Sequence, residues 1–149
     1  MKIYLGADHR GFNLKAVIKT WLSGKKFLVE DMGNDRLDPE DDFPDYAAAV
    51  AKKVGAGDGV GVVVCGSGGM ALVANKFKNI RAVECWNELT AKHAKAHDAA
   101  NVLMLPADFI DAELAQKIVS AWLGTATLVD PKHQRRLNKI SEIERKNFI

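Results

Sequence analysis

The sequence predicts an α/β protein in which helices cover both faces of a parallel sheet, and three observations carry that reading. Short β-branched runs alternate with longer segments of helical spacing. The run Val60–Val64 is continuously apolar, as a strand covered on both faces requires. The chain has 149 residues, 48% of them hydrophobic and 27% charged, which suits one globular domain rather than two.

The strands are read at Lys2–Ala7, Phe27–Asp31, Gly59–Cys65, Arg81–Cys85 and Asn101–Leu105. Between the first two, Phe12, Val17, Ile18, Trp21 and Leu22 recur at threes and fours and mark a helix. Ala47–Val54 is Ala-rich and follows Pro44, a helix-start signal. A short helix through Ala74-Asn75-Lys76 follows the third strand, and Leu89–Ala96 and Ala112–Leu123 complete the alternation. Gly33–Asp45 is acidic and loop-like. After a break near Gly124, Asp130-Pro131 leads into a last helix, about Lys132–Lys146. It carries a narrow stripe of Leu137, Ile140 and Ile143 beside many basic residues. Such a stripe either packs on a partner subunit or belongs to a solvated amphipathic helix on its own domain. The whole is a three-layer α/β/α, Rossmann-like fold, residues 1–149, with a five-stranded parallel sheet and an extra C-terminal helix.

Composition excludes several function classes. Twenty-one basic residues against 19 acidic ones, net +2, supply no general argument for nucleic acid. The longest apolar runs fall far below the ~18–20 residues that span a membrane. Cys65 and Cys85 are too few for a disulfide scaffold. The segment from Met1 to Asp8 reads directly into a strand, without a signal-peptide core. These features predict a cytoplasmic protein with reduced thiols, and neither a membrane nor a nucleic-acid partner.

In open parallel sheets, ligands bind outside the carboxyl ends of the strands. The first strand ends in Ala7-Asp8-His9-Arg10-Gly11 and the third in Cys65-Gly66-Ser67-Gly68-Gly69; His97-Asp98 stands just ahead of the fifth. This reading gathers a thiol, a hydroxyl, an acid and a histidine near one edge. Glycines let backbone N–H groups approach an anion, and the following helix start adds positive potential. The same field would lower the pKa of Cys65 and favour a thiolate. The bland alternative is a small buried apolar cysteine. Gly66–Ala71 also matches the G-x-G-x-x-G/A dinucleotide pattern, with Glu84 placed to meet a ribose, but the match is short and no second domain would hold a substrate. His93 and His97 share a helix face at i, i+4, yet no Glu follows His93, so no metal site is expected and His93 reads as an exposed helical residue. His97, at a helix end, is either functional or a dipole-stabilised terminal histidine.

Taken together, these segments resemble the type B ribose-5-phosphate isomerase family, which also contains the galactose-6-phosphate isomerase subunits. The resemblance spans nearly the whole chain. It rests on Gly6-Ala7-Asp8-His9-Arg10-Gly11-Phe12, Asp42-Phe43-Pro44-Asp45-Tyr46-Ala47, Cys65-Gly66-Ser67-Gly68, Ala74-Asn75-Lys76, Ile80-Arg81-Ala82, His97, Asn101-Val102-Leu103 and His133-Gln134-Arg135-Arg136.

The resemblance implies aldose–ketose isomerisation of a phosphorylated sugar without metal or other cofactor, by ring opening and a cis-enediol(ate). It assigns ring opening to His97 and the C2 base to Cys65. It has Ser67 and the N–H groups of Gly66, Gly68 and Gly69 stabilise the oxyanion. It places Asp8 on a sugar hydroxyl, and His9 and Arg136 on the phosphate. It further implies a homodimer or homotetramer with the site at the subunit interface.

Against the family pattern, the glycine loop is one residue shorter and Asp98 replaces an Asn. Phe43 replaces a Tyr, Pro106-Ala107-Asp108 replaces a phosphate-contacting arginine, and Lys132 replaces a second one. These departures leave open a pentose phosphate, a six-carbon phosphate or a free sugar as substrate. They also leave open a non-catalytic or hetero-oligomeric sugar-phosphate-binding subunit.

Overall fold

A computed structural model describes residues 1–148. Its elements are β1 (Lys2–Ala7), α1 (Phe12–Gly24), β2 (Leu28–Asp31), α2 (Phe43–Gly55), β3 (Val60–Cys65), α3 (Gly69–Ala74), β4 (Ala82–Glu84), α4 (Glu88–Asp98), β5 (Val102–Pro106), α5 (Ala112–Leu123) and α6 (Pro131–Asn147). The five strands pair in parallel in the order β2-β1-β3-β5-β4. The expected three-layer architecture is therefore present.

Side chains alternate across the strands and build two cores. Ile3, Leu5, Val62, Val64, Leu103 and Leu105 face α1, α4 and α5, where Ile18, Leu22, Ile118 and Trp122 close the layer. Tyr4, Val63, Cys65 and Met104 face α2 and α3, against Ala47, Val50 and Met70. Each fully buried Leu or Ile contributes roughly 1.5–3 kcal/mol, so these two layers hold the sheet edges in place. Among the described residues, no helix is long and apolar enough to cross a membrane.

The boundaries differ from the sequence reading where capping decides them. The helix expected from Ala47 begins at Phe43, because Pro44 sits within the first turn, where a missing N–H is no loss. Asn87 and Thr90 form a capping box that starts α4 at Glu88 and carries it through Asp98. Asp130 caps α6, which starts at Pro131. Lys15 is 2% exposed and donates to Asp31 Oδ1 at 2.8 Å and the Asn34 carbonyl at 2.9 Å, anchoring the start of the acidic loop. The stripe on α6 is not buried on its own domain: Ile140 and Ile143 remain 46% and 62% exposed. They line a cavity of about 340 Å³ with Ile80, Val83 and Phe148.

Candidate active site

β1 and β3 are neighbours from which the chain departs in opposite directions, so their carboxyl ends frame the crevice where such sheets bind ligands. Asp8 closes β1 and is 5% exposed; its Oδ1 accepts the backbone N–H groups of Arg10 and Gly11, both at 3.0 Å. His9 follows. Its backbone N–H and ring Nδ1 both meet Asp41 Oδ1, at 3.0 and 2.7 Å. The bond to Asp41 raises the His9 pKa and favours the cationic ring. Asp8, His9 and Asp41 bring their ligand atoms within 4.8 Å of one another, but His9 Nδ1 and Asp41 Oδ1 are engaged with each other and Asp8 Oδ1 with its own loop.

Cys65 ends β3 and is 4% exposed, with its thiol donating to the Ser67 carbonyl at 2.7 Å. The expectation of a lowered pKa is overturned. Burial pushes the thiol up, and the charges of Asp8 and Glu84 push the same way. The Met70 N–H does act in the expected direction and is outweighed. The sequence made the loop's dipoles visible, but not the two carboxylates that the fold brings beside the sulfur.

The glycines are set by close approach. A Cβ at Gly66 would stand 2.8 Å from Arg10 Nε and 2.9 Å from Asp108 Oδ2. One at Gly68 would stand 2.9 Å from Glu84 Oε2, and one at Gly69 would stand 3.0 Å from the Phe43 ring. Ser67 is exposed at the crest of the loop. Asp108, where the resemblance implies a lost arginine, pairs with Arg10, so a guanidinium still lies against Gly66. Glu84 Oε1 is buried without a partner, and burial raises its pKa. Its carboxylate lies beneath Gly68 rather than reaching outward to a ribose, and α3 has only 6 residues, which removes the support for the dinucleotide reading.

His97, Asp98, Lys132 and Arg136 do not join Cys65 at one edge, contrary to the expectation from sequence. α4 runs from the end of β4 back to the start of β5, so His97 and Asp98 lie at the amino edge. Cys65 pairs in register with Pro106, at the opposite end of β5. β5 has 5 residues, and at about 3.3 Å per residue it is roughly 16 Å long. Helix α6 starts beside His97: His97 Nδ1 is 2.9 Å from His133 Nε2, and His133 Nδ1 is 2.6 Å from Asp130 Oδ2. Lys132 and Arg136 occupy the same first turns and are exposed. His93 is exposed, as expected, with its ring edge-on to His97 at 5.2 Å.

Sequence reasoning missed Asp41 and Glu84 as carboxylates beside the site, Arg10 as its guanidinium, and Asp130 and His133 as partners of His97. For His97 the signal was present, because a residue just before a parallel strand lies at that strand's amino end. The partners meet only through tertiary structure.

The ribose/galactose isomerase family model matches residues 3–140. Ribose-5-phosphate isomerase B of Escherichia coli K12 is 40% identical over 148 residues, covering 97% of each chain. A solved structure of ribose-5-phosphate isomerase B from Clostridium thermocellum superposes with a TM-score of 0.94 at 38% identity, covering 98% of this chain and 99% of that one. A Mycoplasma genitalium structure of the same enzyme, with bound ribulose-5-phosphate, gives 0.94 at 38%, covering 98% and 97%. The chain belongs to the ribose/galactose isomerase family.

Proposed function

We infer that this chain, acting as a single cytoplasmic domain, is an aldose–ketose isomerase of a phosphorylated sugar, of the ribose-5-phosphate/ribulose-5-phosphate type. The observation that carries the reading is Cys65 at the carboxyl end of β3, beneath a glycine loop, in a chain similar over 97% of its length to an enzyme of that name.

The chemistry follows from the residues. His97 carries a proton between the anomeric hydroxyl and the ring oxygen, opening the sugar. Asp8 holds a hydroxyl of the open chain. Cys65, as thiolate, takes the C2 proton and returns it to C1. Negative charge develops on O1 and meets the Ser67 hydroxyl and the N–H groups of Gly66, Gly68 and Gly69, and the O2 hydroxyl proton passes to O1 as the C2=O2 double bond forms and C1 takes its proton from Cys65. His9, whose cationic form the bond to Asp41 favours, faces the phosphate together with Lys132 and Arg136. Asp98 completes the sugar contacts. Because Cys65 and His97 stand at opposite edges, one chain does not close the site. A second copy supplies His97, Asp98, Lys132 and Arg136, and the exposed Ile140 and Ile143 stripe is its natural seat. The working form is thus a homodimer or a homotetramer of such pairs.

The test is deuterium exchange at the sugar carbons in heavy water with EDTA present, read alongside a ketose screen of pentose and hexose phosphates and their free sugars. Exchange with a phosphorylated aldose, lost in Cys65→Ala, supports the reading. Exchange with none of them overturns it. Binding of sugar phosphate without turnover would instead favour a subunit that needs a different partner.

A further inference from the structure

We propose that His133 and Asp130 are positioning residues for ring opening, forming a carboxylate–imidazole–imidazole relay that keeps the proton on Nδ1 of His97 and leaves its Nε2 bare. The proposal rests on the reading of His97 as the ring-opening group and deepens it.

The relay is visible as two consecutive short contacts. Asp130 Oδ2 is 2.6 Å from His133 Nδ1, and His133 Nε2 is 2.9 Å from His97 Nδ1. An ionised carboxylate only accepts hydrogen bonds, so His133 donates from Nδ1. A neutral imidazole protonated on Nδ1 carries its lone pair on Nε2, which must therefore accept from His97 Nδ1–H. The one remaining position on His97, Nε2, is then an unprotonated base. The His133 backbone N–H, and with it the bond from the ring, holds Asp130 below the usual carboxylate range, consistent with its role as acceptor.

A plain helix cap does not account for this arrangement. Asp130 caps α6 through Oδ1, which accepts the His133 backbone N–H at 3.2 Å. The cap needs only that oxygen. The second oxygen is turned onto the imidazole of the same residue, so Asp130 grips His133 by backbone and ring together. His133 is partly buried, while His97 is exposed in the last turn of α4, where the C-terminal helix dipole favours positive charge. The His93 ring packs edge-on against His97.

The proton steps balance. Nε2 takes the hydrogen of the anomeric hydroxyl as the C1=O1 double bond forms. The electrons of the bond between C1 and the ring oxygen pass to that oxygen, which takes the same proton back from Nε2. While His97 holds the extra proton, His133 and Asp130 stabilise its charge.

The experiment is long-range ¹H–¹⁵N spectroscopy of the imidazoles in the full-length assembled protein, combined with steady-state kinetics. Neutral wild-type His97 should carry its proton on Nδ1. In His133→Ala the Nε2–H tautomer should become the major form, and kcat should fall about 10²-fold, the low end of general acid–base contributions. KM should stay within about twofold, since no ground-state contact is removed. Asp130→Asn keeps a good N-cap and should still lower kcat. His133→Asn, whose side-chain oxygen can accept from His97 Nδ1, should recover part of the loss. Wild-type His97 protonated on Nε2, or unchanged kcat in both His133→Ala and Asp130→Asn, would overturn the relay. Failure of the isomerase reading would show separately, as absence of deuterium exchange in the wild type while the tautomer measurement stands.

Discussion

At the carboxyl edge of the sheet Asp8 and Cys65 are buried, and the functional groups around them are tied to one another. Asp8 is folded onto its own loop, Cys65 donates to Ser67, Arg10 is paired with Asp108 and His9 with Asp41. At the amino edge His97, Asp98, Lys132 and Arg136 are exposed, on the end of α4 and the start of α6. The first half-site is built by the core and pre-organised in a single chain. The second is presented on helix ends, and in our reading it is dried and completed only when another copy covers it. In that reading one fold holds a rigid proton-transfer centre and a docking acid/base group, each used by the facing copy.

The largest expected effect tests that division directly. Cys65→Ala and His97→Ala should each lose activity by about 10²–10⁴-fold when assembled alone. Random pairing of the two makes about half the dimers hybrid, each with one intact site of two, so mixing after unfolding and refolding should restore about a quarter of wild-type activity. No recovery on mixing would mean that both residues act within one chain.

Arg10 comes next. Arg10→Ala removes the guanidinium that lies against Gly66, and charge-assisted bonds are worth about 1.5–3 kcal/mol. KM for a phosphorylated substrate should rise by about 10–100-fold if Arg10 meets the phosphate; the loss falls on kcat if it meets the enediolate.

The two cysteines sharpen the comparison between a thiol in the site and one in the core. Cys85 is fully buried and its thiol is pushed up to about 11 from 9.0. A pKa raised on folding stabilises below the unfolded value, and that stability is lost as pH rises through the folded one. Melting temperature should therefore drop between pH 9 and about 11, with less of a drop in Cys85→Ala.

The smallest effect concerns Glu84. With Cys65 read as the C2 base, it acts as thiolate, so kcat/KM should rise with pH into the range above an ordinary thiol. Glu84→Gln removes one of the charges that hold the thiol up, so the rise should begin at lower pH and activity near neutrality should increase by a few-fold, about twofold to fivefold. An unmoved pH profile would remove Glu84 from the thiol's surroundings.

Much of this was legible in one dimension. The period-two pattern of Ile3, Leu5 and Ala7 and the unbroken run at Val60–Val64 identify strands because burial of a pleated sheet imposes that spacing. Gly66–Gly69 marked a close approach of backbone to other groups. Less legible were contacts between residues far apart in sequence, such as Arg10 with Asp108 and His9 with Asp41, since nothing local in an isolated loop names its partner. His97 differs: its closeness to β5 in sequence does not say which end of that strand it meets, and helix α4 brings it to the amino end.

The sequence by itself determined the alternation of strand and helix, the turns that punctuate it and the residue types available for proton transfer, because propensity, periodicity and capping act over a few residues. Only the tertiary structure decided that burial and nearby carboxylates push the Cys65 thiol up and that His97 stands at the far edge of the sheet. Burial, charge proximity and the direction in which a helix crosses the sheet are properties of the assembled layers, and no stretch of the chain carries them alone.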